Sequence, residues 1–373
     1  MTRQSPHVAI VHVPYLVKGG EERYVASLTA SYEAAGARVS YWPIPDKSAS
    51  SEALQALTWG DVSNWNDTLA KLKPDRIHLN NIHPALGPAF LRWLQGISIP
   101  VIATIHNHRF YCTNGLALYQ GHICKACKTK RLPWRPLVFN CNQSWAKSYY
   151  HGLSLARIQT EGLLAGLHML VAPSGYIAAE LESAGYAREK IRVVPHPVSV
   201  DTSRPDITVK KYDCIYAGRF SEEKGVRRLL KVAEALPNTI FAFAGHGALE
   251  NEIASAASSR ANVVLLKNLD RTALIAAISA SKAAFVPSIC EESFSLFGVE
   301  SLLLGVPTVV SPNESLRWLT RLPFPAIPAK GNDVADMIHA LEQAWIKASD
   351  QFAISMMKEY FSIRKHGLTL LDI

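Results

Sequence analysis

Short apolar runs of strand length alternate with segments of helical period along most of this chain, and the alternation runs twice. Residues 8–13 (VAIVHV) read as a buried strand. Gly19-Gly20 follows, then a helical stretch over 21–34 that puts Tyr24, Val25, Leu28 and Tyr32 on one face. Gly36 supplies the stop. Further strands are expected at 38–42, 76–79, 101–105, 169–172 and 192–194, with helices at 89–95, 144–167 and from the Ser174 cap to 184. The rhythm restarts with strands at 214–217, 240–244, 263–266, 284–287 and 308–310. Helices at 223–236, 249–257, 272–280 and 296–304 separate them, and helices at 333–348 and 351–371 close the chain. Buried runs that alternate with helices specify parallel, doubly wound sheets.

The stretch PHPVSVDTSRPD carries three prolines and no helical period, so the boundary falls there. The expected organisation is a Rossmann-like domain over 1–195, a linker at 196–206, a second Rossmann-like domain over 207–350 and a terminal helix at 351–373 that crosses back to the first. The fold class is thus α/β, two doubly wound domains facing a central cleft. Residues 107–143 break the rhythm and read as an insertion loop with four cysteines. A length of 373 residues, 48% hydrophobic and 19% charged, fits two ordinary cores and excludes a disordered or low-complexity class. No run approaches the roughly 20 apolar residues of a membrane span. The N-terminal run is too short for a signal peptide, so a cytoplasmic protein is expected. Six cysteines are too sparse for a disulfide scaffold. The net charge of +8 leaves three partner classes open: nucleic acid, an anionic membrane surface or an anionic small substrate. Its densest patch lies at 125–135, where a solvated loop is an equal reading.

Four constellations fall at strand ends, where ligands of such sheets bind. Gly19-Gly20 opens a helix, whose free amides suit an anion; the pattern is not the dinucleotide fingerprint. Arg219 and Lys224, in GRFSEEKG, suit a diphosphate, the first as a fork and the second as a point charge. Glu292 and Glu300 stand eight apart in EESFSLFGVE; a carboxylate there can hold adjacent hydroxyls or do acid–base work. His106 ends the fourth strand and can act as acid, base or donor.

In order, the motifs GGEERYV, the strand ending at His106, VAPSGYIAAEL, YAGRFSEEKGV, FAGHG and VPSICEESFSLFGVESLLLGVPTVVSP resemble the retaining glycosyltransferases of the GT-B fold, family 4, over nearly the whole chain. The resemblance implies a nucleotide-sugar donor (UDP- or GDP-sugar) and no catalytic metal or other cofactor. Glu292 would hold the donor sugar and Glu300 the ribose. Arg219, Lys224, Gly19, Gly20 and the amides around Phe294, Ser295 and Leu296 would receive the diphosphate, while His106 would sit over the reacting sugar. No catalytic base is implied. Ser293 and Ser295 stand where the family has glycines, and the N-G-hydrophobic-D of its linker is replaced by HPVSVD.

The implied acceptor is a glycan or lipid-linked oligosaccharide of a surface polysaccharide. Peripheral contact with the inner leaflet would follow, with no role for nucleic acid. Two other readings compete, a GT-B nucleotide-sugar epimerase or hydrolase and a non-enzymatic module for anionic surfaces. Cys112, Cys124, Cys127 and Cys141 have the spacing C-x11-C-x2-C-x13-C. Four reduced thiols, a structural zinc or redox chemistry all fit that spacing, and similar cysteines occur in a polysaccharide-assembly subgroup of the family.

Overall fold

The buried runs pair side by side with runs distant in sequence. The computed structural model describes residues 5–14, 19–44, 60–83, 85–130, 135–200 and 209–373. It divides into two units, one drawn from 1–119, 124–197 and 363–373, the other from 120–123 and 198–362. The chain therefore returns to the first unit at Ile363, later than the expected 351, and part of the expected linker, 201–208, lies outside the described residues.

The first unit holds a six-stranded parallel sheet. Its strands are β1 (His7–Val11), β2 (Arg38–Tyr41), β3 (Arg76–Leu79), β4 (Val101–Thr104), β5 (Met169–Ala172) and β6 (Ile191–Val193), in the order β2-β1-β3-β4-β5-β6. Every residue of β1 and β4 is buried, because helices cover both faces. Helix α1 (Gly20–Ala34) covers one face with Tyr24, Val25, Leu28 and Tyr32. A helix at Val62–Leu72, which the periodicity did not reveal, is capped by Asp61. Its Trp65 joins Phe90 and Trp93 in an aromatic cluster under the other face.

The second unit repeats the plan with β7 (Tyr212–Ala217), β8 (Phe241–Ala244), β9 (Val263–Leu266), β10 (Ser281–Val286), β11 (Thr308–Val310) and β12 (Ile327–Pro328), in the order β9-β8-β7-β10-β11-β12. Helices α2 (Val226–Ala235), α3 (Arg271–Ser279) and α4 (Leu296–Leu303) follow β7, β9 and β10. In both units the strand order reverses around the first strand, so the loops at the carboxyl ends of the strands beside it splay apart.

The terminal helix expected over 351–371 is two helices, α5 (Gln351–Tyr360) and α6 (Ile363–Leu371). Phe361, buried among Phe294, Trp318 and Met357, ends the first. Helix α6 lies along α1 at very close range: a Cβ on Gly367 would stand 1.9 Å from the Ser31 carbonyl oxygen, so only glycine fits. The insertion loop at 107–143 carries a turn at His108–Phe110 and short helices at Ala126–Lys130 and Arg135–Phe139. Within its basic patch, Lys125 and Lys128 are tied to the protein, the second of them nearly buried. Both donate to Glu180 Oε1, at 3.0 and 2.9 Å, and Tyr111 Oη donates to Oε2. Burial opposes that carboxylate, but the two lysines outweigh it and hold Glu180 below its usual range.

Candidate active site

In the second unit the loops after β7 and β10 bring three of the sequence-derived residues, Lys224, Glu292 and Ser295, together. Lys224 lies in a 3₁₀ turn, Glu222–Lys224, ended by Gly225 at φ +70°. A side chain there would meet the Pro287 carbonyl oxygen at 1.9 Å. This contact docks the first loop on the second and lets Lys224 Nζ reach Glu292 Oε1 at 2.9 Å. The Ser288 hydroxyl donates to the same carboxylate oxygen. Burial opposes both charges. The pairing outweighs burial on each side: Glu292 raises Lys224, while Lys224 with the Ser288 and Ser295 hydroxyls holds Glu292 below the carboxylate range.

The loop that carries Glu292 is held by residues the sequence reading passed over. Asn313 Nδ2 donates to the carbonyls of Ser288 and Cys290, at 2.9 and 2.8 Å. Ser315 Oγ accepts from the Glu292 amide, and Glu291 Oε2 accepts from the Ser315 amide, both at 2.8 Å. The sequence signal for them, SPNES after β11, was present but reads as an ordinary turn.

Ser295 sits at φ +70° as the N-cap of α4, the left-handed region that glycine occupies at no cost. That is the physical reason for a glycine at this position, and serine carries about 1 kcal/mol of strain here. Its hydroxyl bonds Glu292 instead of capping the helix. Phe294 is buried, its ring stacked on Trp318 at 4.9 Å, and it anchors the loop rather than facing solvent. Leu296 opens α4.

Glu300 is 1% exposed, one turn into α4. Arg271, the first residue of α3, reaches its Oε1 at 2.7 Å. Arg271 is a further residue the sequence reading missed, since nothing local in DRTALIAA marks it. Arg219 is more than half exposed and pairs with Glu223 at 3.1 Å. Every charged candidate thus already holds a protein partner of opposite sign, so a ligand could exchange partners with little desolvation cost.

The first unit contains the other three candidates. Gly19 precedes α1 and Gly20 begins it. The Gly19 amide is taken by the Glu22 carboxylate at 2.7 Å, so this helix start presents its own anion where one was expected to bind. His106 lies just after β4. Its Nε2 meets Asn80 Oδ1 at 2.9 Å, its ring packs edge-on against Tyr24 at 4.7 Å, and His196 lies 5.2 Å away. Burial, with His12 nearby, pushes its pKa down to about 3. His106 is therefore a neutral imidazole at pH 7, able to orient or accept a proton through hydrogen bonds but carrying no charge.

Cys112, Cys124, Cys127 and Cys141 line one cavity of about 30 Å³ together with Tyr111, Arg135 and Phe139. All four are free thiols. Burial, and then the neighbouring cysteines, push Cys127 up to about 12; burial likewise raises Cys112 and Cys141. Among the described residues no group of three or more His, Cys, Asp or Glu side chains is placed to hold a metal ion. The zinc expectation is thus without support, and reduced thiols are what the structure contains.

Two parallel doubly wound units, with paired basic and acidic side chains on the second, are the architecture of the GT-B glycosyltransferases, and comparison with known proteins agrees. The model of the family "Glycosyltransferase Family 4" matches residues 18–202, and that of "Glycosyl transferases group 1" matches 201–349. The chain belongs to the family 4 glycosyltransferases of the GT-B fold. No curated protein sequence matches it. Among solved structures it is similar to sucrose-phosphate synthase from Thermosynechococcus elongatus, with a TM-score of 0.69, 16% identity and 98% of each chain covered. HepE of Anabaena in complex with UDP gives 0.65 and 14%, over 98% of each chain. The lipopolysaccharide outer core galactosyltransferase WaaB gives 0.62 and 14%, over 97% of this chain and 99% of that one. At these identities the likeness establishes the fold. The chain is a glycosyltransferase.

Proposed function

We propose that this glycosyltransferase is a retaining enzyme. It takes the sugar from a UDP- or GDP-sugar held on its second unit and passes it to a glycan or lipid-linked acceptor of a surface polysaccharide. The observation that carries the reading is the Lys224–Glu292 pair, closed at 2.9 Å where the loops after β7 and β10 meet. On donor binding, Lys224 and Arg219 turn to the diphosphate and stabilise the charge that builds on the leaving group. Glu292 then accepts from the sugar hydroxyls and Glu300 from the ribose. The amides of Ser295 and Leu296, at the start of α4, donate to the phosphate. His106, with Gly19 and Gly20, belongs to the acceptor side, and its neutral ring positions rather than ionises.

The HepE structure contains UDP, which supports a nucleotide donor, and the likeness to WaaB, a lipopolysaccharide outer core galactosyltransferase, supports a cell-surface acceptor. The net charge of +8 supports work at the anionic cytoplasmic face of a membrane. Among the described residues no helix is long and apolar enough to cross one.

A thermal-shift panel of UDP-, GDP- and ADP-sugars tests the donor, because a ligand that binds only the native state raises its stability. One nucleotide class should stand out, and Glu292→Ala and Lys224→Ala should each abolish transfer when assayed below the Tm of the variant. Proton NMR of the product should show the donor's anomeric configuration kept. An inverted product, or near-normal turnover in either variant, overturns the reading.

A further inference from the structure

A second polar site lies wholly within the first unit and shares only His106 with the residues that the function above uses. A cavity of about 70 Å³ opens beside the carboxyl ends of β3 and β4, lined among others by Glu21, Asn80, His83, His106 and Arg109. That is room for about five waters, or for one phosphate or carboxylate with the carbon that bears it. The Arg109 guanidinium makes no ion pair among the described residues. It is spent only on the Thr113 carbonyl at 3.1 Å and on His151 Nδ1 at 3.4 Å. Two further polar atoms on the same wall, Asn80 Nδ2 and His83 Nδ1, are buried and have no hydrogen-bond partner among the described residues. A buried polar atom left unsatisfied costs roughly 1–3 kcal/mol, so two such atoms beside a guanidinium that lacks a carboxylate among the described residues point to a missing partner.

The sign of that partner follows from the charges. Burial, and then Arg109 itself, holds His83 well below its ordinary value and takes His151 to about 3. Both rings are neutral, and Arg109 is the wall's positive charge. The negative group, Glu21, is engaged through Oε1 by Asn107 Nδ2 at 3.0 Å. We propose that this cavity seats an anionic group carried by the acceptor, a sugar-borne phosphate or carboxylate. Arg109 and Asn80 donate to it, His83 adds a donor from its Nδ1 tautomer, and Glu21 takes an adjacent hydroxyl. The proposal rests on the first unit being the acceptor side.

Calorimetric titration of the full-length protein with glucose, glucuronate and glucose 6-phosphate tests it, with UDP titrated into the same preparations. At least one anionic sugar should bind about tenfold or more tightly than glucose, the increment of a charge-assisted hydrogen bond. Preference for the phosphate identifies a phosphorylated acceptor, preference for glucuronate an acidic sugar. Arg109→Gln keeps a donor for Thr113 but removes the charge, and should erase the preference. Asn80→Asp keeps the acceptor toward His106 and puts a negative oxygen in the cavity, and should do the same if Arg109→Gln fails to fold. Glucose binding as well as the anions, no binding of either anion, or preference surviving in a folded variant overturns the proposal. UDP affinity should be unchanged in both variants; failure of UDP to bind the unaltered protein would instead strike at the donor reading.

Discussion

Replacing Lys224 by Met should destabilise the second unit more than replacing Lys224 and Glu292 together. At 2.9 Å and an effective dielectric of about 20 the pair attracts by roughly 6 kcal/mol. Most of that is offset by desolvation, since the side chains keep only 26% and 10% of their exposure. Lys224→Met keeps the volume but leaves the Glu292 carboxylate with only the hydroxyls of Ser288 and Ser295. Removing one partner of a buried pair costs about 3–5 kcal/mol. Lys224 is a quarter exposed, so water recovers part of that loss and about 2–3 kcal/mol is expected. In a unit of this size that lowers Tm by about 5–10 °C. Adding Glu292→Gln removes the stranded charge, and the double variant should regain at least about 1 kcal/mol over the Lys224→Met protein. Differential scanning calorimetry of the four proteins measures the cycle.

The sign of the pH dependence gives a second check. In the native pair Glu292 is held below its unfolded value near 4.3, so its contribution is present above that value and lost as pH falls through the folded one. Without the lysine, burial raises Glu292, and acid now relieves the variant. The gap between the two proteins should therefore narrow from pH 7 to pH 4. Additive single effects, or a gap that ignores pH, would refute the reasoning.

Three other outcomes follow from geometry described above. Gly225→Ala should cost about 3 kcal/mol or more and reduce soluble yield, because its Cβ would overlap the Pro287 carbonyl at a positive φ; a calorimetric scan decides it. Deleting 363–373 should lower protection of α1 in hydrogen exchange, since Leu370 is fully buried against it and His366 Nδ1 meets the Pro195 carbonyl at 2.9 Å. Acidification should destabilise the first unit between pH 6.5 and 4. His366 and His108 are held neutral with pKa values of about 4 and His106 of about 3, chiefly by burial, so the unfolded chain takes up protons first as pH falls. His366→Gln should flatten that profile, as followed by Tm against pH.

The architecture was legible because buried parallel strands announce themselves: β9 and β11 fall on the expected residues, and β7, β8 and β10 begin or end within three of them. Short elements with weak signals escaped. β12 is two residues, one of them a proline, and Val62–Leu72 follows a stretch without period. The single terminal helix became two because Phe361 is drawn inward against the stacked Phe294 and Trp318, a tertiary demand that periodicity does not carry. At the site, residues tied to local motifs were readable: Lys224 and Glu292 meet, and Glu300 is buried in α4. Partners supplied from other elements were not, as with Arg271 on Glu300, Asn313 and Ser315 on the Glu292 loop, and Glu22 on the Gly19 amide.

Helix α6 sets the order in which the molecule can be finished. Its residues follow the whole of the second unit in the chain, and Arg76 of β3 bonds the Leu370 carbonyl while Tyr24 Oη reaches His366 Nε2 at 3.3 Å. N-terminal domains ordinarily mature first during synthesis. Here the second unit ends at Ser362 and is complete in sequence while the first still lacks a covering helix over Leu28 and Tyr32. The nascent N-terminal half must wait, with that apolar face open, until a segment made after the entire second unit has emerged.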